Sequence, residues 1–238
     1  MNETINVMNA HTSVRRFTEK QISEKELRAI IDAGWAASSW KNFQSYSIIV
    51  VRSKEKKEAL FELVPQEAIR QSSAFLLFVG DLNRAQKGVC LHTEEFYPEG
   101  TENLLISSVD AALVGQNTLL AAESLGYGGV IIGLVRYAAS QIAELFKLPD
   151  YTYPVFGIAL GTPNQNHAVK PRLPYEAVVF EEEYREQDRS TIQAYDRVQT
   201  EYAGERAKET WSQRLAAQFG QEPNQAIDQL FKEKKLEK

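Results

Sequence analysis

Cysteine is almost absent: Cys90 is the single one in the chain, so no internal disulfide can form, as suits a reducing cytoplasm. No motif surrounds it, and it reads as a buried or inert thiol. Histidine is nearly as scarce. His11, His92 and His167 stand far apart without metal-ligand spacing, so no zinc site is expected. Positive charge is short too, with 27 Lys and Arg against 32 Asp and Glu and a net charge of −5. That balance excludes a broad basic surface for nucleic acid. Unbroken apolar runs such as "AFLLFVG" and "GGVIIGLV" fall well below the roughly 20 residues that cross a bilayer. The opening "MNETINVMNAHTSVRRF" lacks the apolar centre of an export signal, so no membrane association is expected and a cytoplasmic location is. No G-x-S-x-G elbow, P-loop or G-x-G-x-x-G follows a strand pattern. Nothing points to a hydrolytic triad or a metal hydrolase.

What is present is ample core material: 43% of the 238 residues are apolar and 25% charged. "SEKELRAIIDAGWAA" reads as a helix, with Ser23 and Glu26 as a capping box and Leu27, Ile30, Ile31, Gly34 and Trp35 at helical spacing. "YSIIVV", "SAFLLFVGD", "GGVIIG" and "YPVFGIALG" read as four largely buried strands. Between them lie helical patterns in "SKEKKEALFELV", capped by Ser53, and in "AASQIAELFKL". "ENLLISSVDAALVGQNTLLAAESLG" predicts a long helix, apolar around most of its girth and stopped near Gly126. A helix of that kind belongs in a core or at a subunit interface. The polar stretch from Arg84 to Glu102 matches no template. After Phe180 the chain becomes charge-rich and predicts two or three thin-striped helices, broken at Gly204, Gly220 and Pro223. Strands alternating with helices indicate an α/β or α+β sheet domain.

Two short basic stretches carry the chemical interest. "HTSVRRF" (His11 to Phe17) sets His11, Ser13 and Arg15 in alternation, and "HAVKPRLP" (His167 to Pro174) sets Lys170 and Arg172 two apart between prolines. In extended chain, residues two apart face the same way, so each stretch could aim several donors at one anion. A solvated turn with ordinary ion pairs is the plainer reading of the spacing alone. "YGGVIIG" offers main chain free of side-chain bulk at Gly128 and Gly129, or else a helix stop running into a strand. "SSWKNFQ" gathers hydroxyls, amides and a tryptophan in one loop, or simply ends a helix.

The ordered set "HTSVRRF", "AASSWKNFQSYSIIVV", "PQEAIRQSSAFLLFVGDLNR", "DAALVGQNTLLAAESLGYGGVIIG" and "VFGIALGTPNQNHAVKPRLP" resembles the flavin-dependent nitroreductase family. The likeness is strongest to the branch of NADPH-dependent, oxygen-insensitive nitroreductases and flavin reductases, and it covers essentially the whole chain. It implies an α+β fold: a mixed, mainly antiparallel sheet covered by helices, in an intertwined homodimer with one FMN in each of two interface sites. It implies a core over residues 1–180 and a helical extension over 181–238 that wraps over the core or the partner. His11, Ser13, Lys170 and Arg172 match phosphate and ribityl ligands. Arg15 and Gln66 match contacts to the flavin pyrimidine edge, and Gly128 and Gly129 a main-chain contact near flavin N5. Ser38, Ser39 and Gln44 match the loop that reaches the flavin from the partner subunit. Arg206 and Lys208 match the point at which the branch contacts the NADPH 2′-phosphate; a solvated helix face pairing with Glu205 or Glu209 is the alternative. The implied activity is ping-pong transfer of hydride from NADPH to nitroaromatics, quinones or free flavin, with no side chain as obligatory acid or base. A flavin-using dehalogenase or flavin-fragmenting enzyme on the same fold, or a non-catalytic FMN-binding dimer, are the rival readings. The chain departs from the family pattern in its serine-to-glutamine spacing, where Trp40 and Lys41 could project into the substrate cleft, and over Arg84 to Glu102.

Overall fold

A computed structural model describes residues 2–237. The chain folds as two compact units. The first runs up to His167 and resumes at Gln225; the second is Ala168–Asn224. The residue 180 boundary expected from sequence lies inside the second unit, and the end of the chain belongs to the first.

The first unit is built on four strands: β1 (Tyr46–Val51), β2 (Ala74–Asp81), β3 (Gly128–Ile132) and β4 (Thr152–Gly161). Their order is β1-β2-β4-β3 and every pairing is antiparallel. The inner strand β2 is buried at all eight positions, which is why it reads as one unbroken apolar run. Its side chains still alternate between faces. Phe75, Leu77 and Val79 join one buried cluster, and Leu76 and Phe78 join another.

Helices cover both faces. On the first side lie α3 (Lys54–Leu63), α4 (Glu67–Gln71), α7 (Ala139–Leu145) and the last helix, α10 (Ala226–Glu233). Leu230 and Leu236 are fully buried there, and the Phe231 ring meets Tyr153 edge-on at 5.1 Å. On the other side, α2 (Glu24–Trp35) packs against α6 (Thr101–Ser124). The capping box at Ser23 and Glu26 and the Ser53 cap both form as expected. Gly126, at φ 80°, ends α6 in the left-handed region that favours glycine.

Helix α6 is long and apolar enough, by length and composition, to cross a bilayer, a property hidden from a count of unbroken apolar runs because polar residues interrupt it. Asp110, Val114, Thr118 and Leu119 nonetheless form a buried face, while Leu105, Val109 and Leu113 repeat every four residues on an exposed one. Three short helices had no readable period: α1 (Glu3–Asn9), α4, and α5 (Asn83–Val89), which occupies part of the unplaced stretch. Cys90, at the end of α5, is exposed rather than buried, because that stretch supplies too little apolar surface to cover it.

The second unit contains α8 (Arg189–Ala203) and α9 (Trp211–Phe219). Asp188 caps α8, and Thr210 with Gln213 forms a capping box on α9. Asp196 accepts from Ser212 N (2.8 Å) and Ser212 Oγ (2.5 Å), and the Tyr195 and Trp211 rings meet edge-on.

Candidate functional site

The stretch from His11 to Phe17 is an arm laid along the free edge of β3. Val14 N donates to Gly129 O at 2.9 Å, and Phe17 bridges Pro163. Thr18 N donates to Thr162 O and Asn164 N to Arg16 O, both at 2.9 Å. Gly128 permits this approach, since a Cβ there would stand 2.6 Å from Val14 Cγ2. A Cβ on Gly129 would meet Leu160 and Leu119, so packing accounts for this glycine, and its carbonyl is engaged by Val14. His11 Nδ1–H donates to Glu123 Oε1 at 2.6 Å, which leaves Nε2 as the nitrogen open to a ligand. The arm is not evenly extended. Arg15 N and Arg16 N both donate to Gln165 Oε1 at 3.1 Å, and Gln165 Nε2 donates to Ser13 O at 3.2 Å.

The arm borders a hollow of about 660 Å³, lined by Arg15, Arg16, Gln66, Glu67, Ala68, Gln71 and the residues from Val130 to Leu134. That volume lies within the roughly 300–1,000 Å³ of small-molecule sites. The structure thus brings Arg15 and Gln66 together beside the end of β3. The Gln66 carboxamide makes no hydrogen bond among the described residues. Two cationic side chains, an uncommitted amide and an apolar strand wall, beside a Glu67 carboxylate paired with Arg70, suit a flat, anionic, hydrogen-bonding ligand such as FMN.

Ser38, Ser39 and Gln44 do not line this hollow. They belong to a loop that holds three non-glycine residues in the left-handed region: Lys41 (φ 46°), Asn42 (φ 61°) and Gln44 (φ 54°). Such conformations each cost about 1–3 kcal/mol and need an outside brace. The brace is Asp110 of α6, fully buried, whose two carboxylate oxygens accept from Trp40 N (2.8 Å) and Ser45 N (3.0 Å). Ser39 Oγ accepts from Gln44 N at 3.3 Å, and Arg84 Nη1 donates to Gln44 O at 2.9 Å. Ser38 is exposed, as are Trp40 and Phe43. The nearby Tyr46 hydroxyl is buried without a partner among the described residues; burial, and then the Asp110 charge, push its ionisation above the ordinary tyrosine range.

Lys170 and Arg172 belong to the second unit. Pro171, between them, offers its carbonyl to Tyr195 OH (2.8 Å) and Gln199 Nε2 (2.9 Å), and Tyr202 OH donates to Ala168 O (2.7 Å). Helix α8 therefore holds the turn while the Arg172 guanidinium stays exposed, with Nη1 on Lys170 O at 3.2 Å. Arg206 caps the carbonyl end of α8, donating to Ala203 O and Tyr202 O, and forms no ion pair with Glu205 or Glu209. Lys208 is exposed. Among the described residues no cluster of His, Cys, Asp or Glu could hold a metal ion.

Gln165, Asp110, Arg84, Tyr195 and Gln199 were not singled out from sequence. Each acts by holding backbone, and a residue doing that carries no spacing signal. The one local hint was Gln165, which lies inside the quoted stretch "GTPNQNHAVKPRLP".

Comparison with known proteins gives one consistent result. A model of the Nitroreductase family matches residues 8–162, and a model of the Nitroreductase family, C-terminal domain, matches residues 170–238. The chain is 39% identical over 243 residues to the NADPH-flavin oxidoreductase of Vibrio harveyi, covering 100% of both chains. It is 40% identical over 228 residues to the FMN reductase [NAD(P)H] of Bacillus subtilis (strain 168), covering 92% of each. The crystal structure of nitroreductase A from Vibrio parahaemolyticus superposes with a TM-score of 0.92 at 38% identity, covering 100% of this chain and 99% of that one.

Proposed function

The chain belongs to the Nitroreductase family, and from that premise we propose that it is an FMN-dependent oxidoreductase that uses NAD(P)H, NADPH by preference, to reduce nitroaromatics, quinones or free flavin. The observation that carries this reading is the hollow where Arg15 and the uncommitted Gln66 carboxamide face the end of β3. FMN supplies the two-electron carrier chemistry when bound; the protein supplies position and charge. Arg15 sets a fixed cation at the flavin's pyrimidine edge, where negative charge gathers on reduction, and Gln66 hydrogen-bonds the same edge. His11 and Ser13 would hold the phosphate and ribityl chain, and the likeness gives Lys170 and Arg172 the same kind of role. The backbone at Gly128 and Gly129, proposed as the contact near flavin N5, does not itself line the hollow but leads into the Val130–Leu134 stretch that does. Arg206 and Lys208 read the 2′-phosphate of NADPH.

The active form is a homodimer. The exposed Leu105, Val109 and Leu113 stripe on α6 supports this, as does a braced Ser38–Gln44 loop that does not line the hollow of its own chain. In the dimer, Ser38, Ser39 and Gln44 serve the flavin of the partner subunit. A free thiol at Cys90 suits a cytoplasmic enzyme.

The test is direct. The purified protein should be yellow, scatter light as a dimer, and oxidise NADPH when given nitroaromatics, quinones or flavins. A colourless protein that takes up no FMN sinks the reading. A yellow protein that turns over no acceptor reduces it to a binding role.

A further inference from the structure

Gln165 stands in the loop after β4, and its carboxamide makes three hydrogen bonds to one short piece of backbone, the Ser13–Arg16 arm. In an extended strand successive N–H groups point to opposite sides, as the pleat requires. Arg15 N and Arg16 N converge on a single oxygen, Gln165 Oε1, so the arm bends at Arg15. Among the described residues no backbone hydrogen bond spans that bend. Val14 N reaches Gly129 O on one side of it, and Arg16 O and Thr18 N are engaged on the other. The remaining side-chain donor, Nε2, takes Ser13 O, which also receives Arg15 Nη1 at 3.4 Å. One planar amide thus fixes the main chain on both flanks of Arg15 and shares the carbonyl on which the guanidinium rests.

We infer that Gln165 is a positioning residue, a clamp that sets the direction of the Arg15 side chain toward a flat anionic ligand in the adjacent hollow. This rests on the reading of that hollow as the FMN site. The clamp is half-exposed, so water can replace its hydrogen bonds without unfolding the arm. What water cannot replace is the bend. Without it Arg15 samples several directions, and the order must be restored each time the ligand binds.

The experiment is a double-mutant cycle on FMN affinity, measured by titrating apoprotein and following quenching of flavin fluorescence. Gln165→Ala in the otherwise native chain should raise the FMN dissociation constant about tenfold, the scale of one net hydrogen bond. In an Arg15→Ala background the same change should raise it less than about twofold, because the group being positioned is gone. Gln165→Met fills a similar volume without hydrogen bonds and serves in place of the alanine variant if that does not fold. The midpoint potential of bound FMN should move negative in Gln165→Ala, since a displaced cation stabilises the reduced flavin less. Equal factors in both backgrounds, or no rise in either, overturn the clamp while leaving the site reading intact. An Arg15→Ala protein that binds FMN like the native one overturns the site reading and the clamp with it.

Discussion

The two units hold their basic segments by different means. In the first, the arm bearing Arg15 lies against a sheet whose central residues Phe75, Leu76, Leu77 and Phe78 are fully buried. Among the described residues of the second, only Tyr195 and Gln199 are buried. Both use a glutamine amide to grip backbone: Gln165 for the arm, and Gln199, aided by Tyr195 OH, for Pro171 between Lys170 and Arg172. The first grip refines a segment already paired to strand edges. The second is the central buried contact of its unit. A basic turn can therefore be mounted without a core, provided a buried polar network fixes its carbonyls.

The largest expected effect lies in the sheet. Phe75→Ala should cost about 3–5 kcal/mol in urea unfolding; a loss below 1 kcal/mol would mean that the sheet is not the stabilising element supposed here. Next comes Arg172→Ala, which should weaken FMN binding by about 1.5–3 kcal/mol, or ten- to a hundredfold. An unchanged dissociation constant would remove the second unit's turn from the cofactor site. Gln199→Leu keeps the volume and deletes the grip on Pro171. It should destabilise the second unit by about 1–2 kcal/mol, read as faster amide exchange in α8 with the sheet amides unaffected. Equal acceleration in both units would erase the distinction between them.

Arg206→Ala should raise the Michaelis constant for NADPH about tenfold and leave that for NADH nearly unchanged, with the preference shrinking in salt. A mutant that loses both nucleotides equally places the specificity elsewhere. The smallest effect concerns acid. The Asp196 carboxyl is held below its ordinary range by the Ser212 hydroxyl first and the Ser212 backbone N–H second. A depressed pKa contributes stability above the unfolded value of about 3.9 and loses it as pH falls through the folded value. The α8–α9 pairing should therefore loosen below about pH 4, as seen in amide exchange of α9, and Asp196→Asn should flatten that dependence. An identical acid profile in the mutant would show that another group controls it.

The strands, the capped helices α2 and α3, the Gly126 stop and the breaks at Gly204 and Gly220 were legible because each depends on residues a few positions apart. Periodicity, caps and turn glycines are local physics. The family was legible for a related reason: its five segments keep their order along the chain whatever their contacts. The short helices α1 and α5 and the exposure of Cys90 were not legible, since one or two turns show no period and burial depends on what packs alongside.

The sequence by itself determined which residue types could serve a flavin, Arg15, Gln66, Lys170 and Arg172 among them, because charge and hydrogen-bonding capacity belong to the side chain. Only the tertiary structure decided how those groups are held. Asp110 braces a strained loop from 65 residues away along the chain, Gln165 bends an arm from 150 away, and Gln199 grips Pro171 from 28 away. Contacts at such separations leave no mark in local pattern; folding must first bring the two segments within hydrogen-bonding distance.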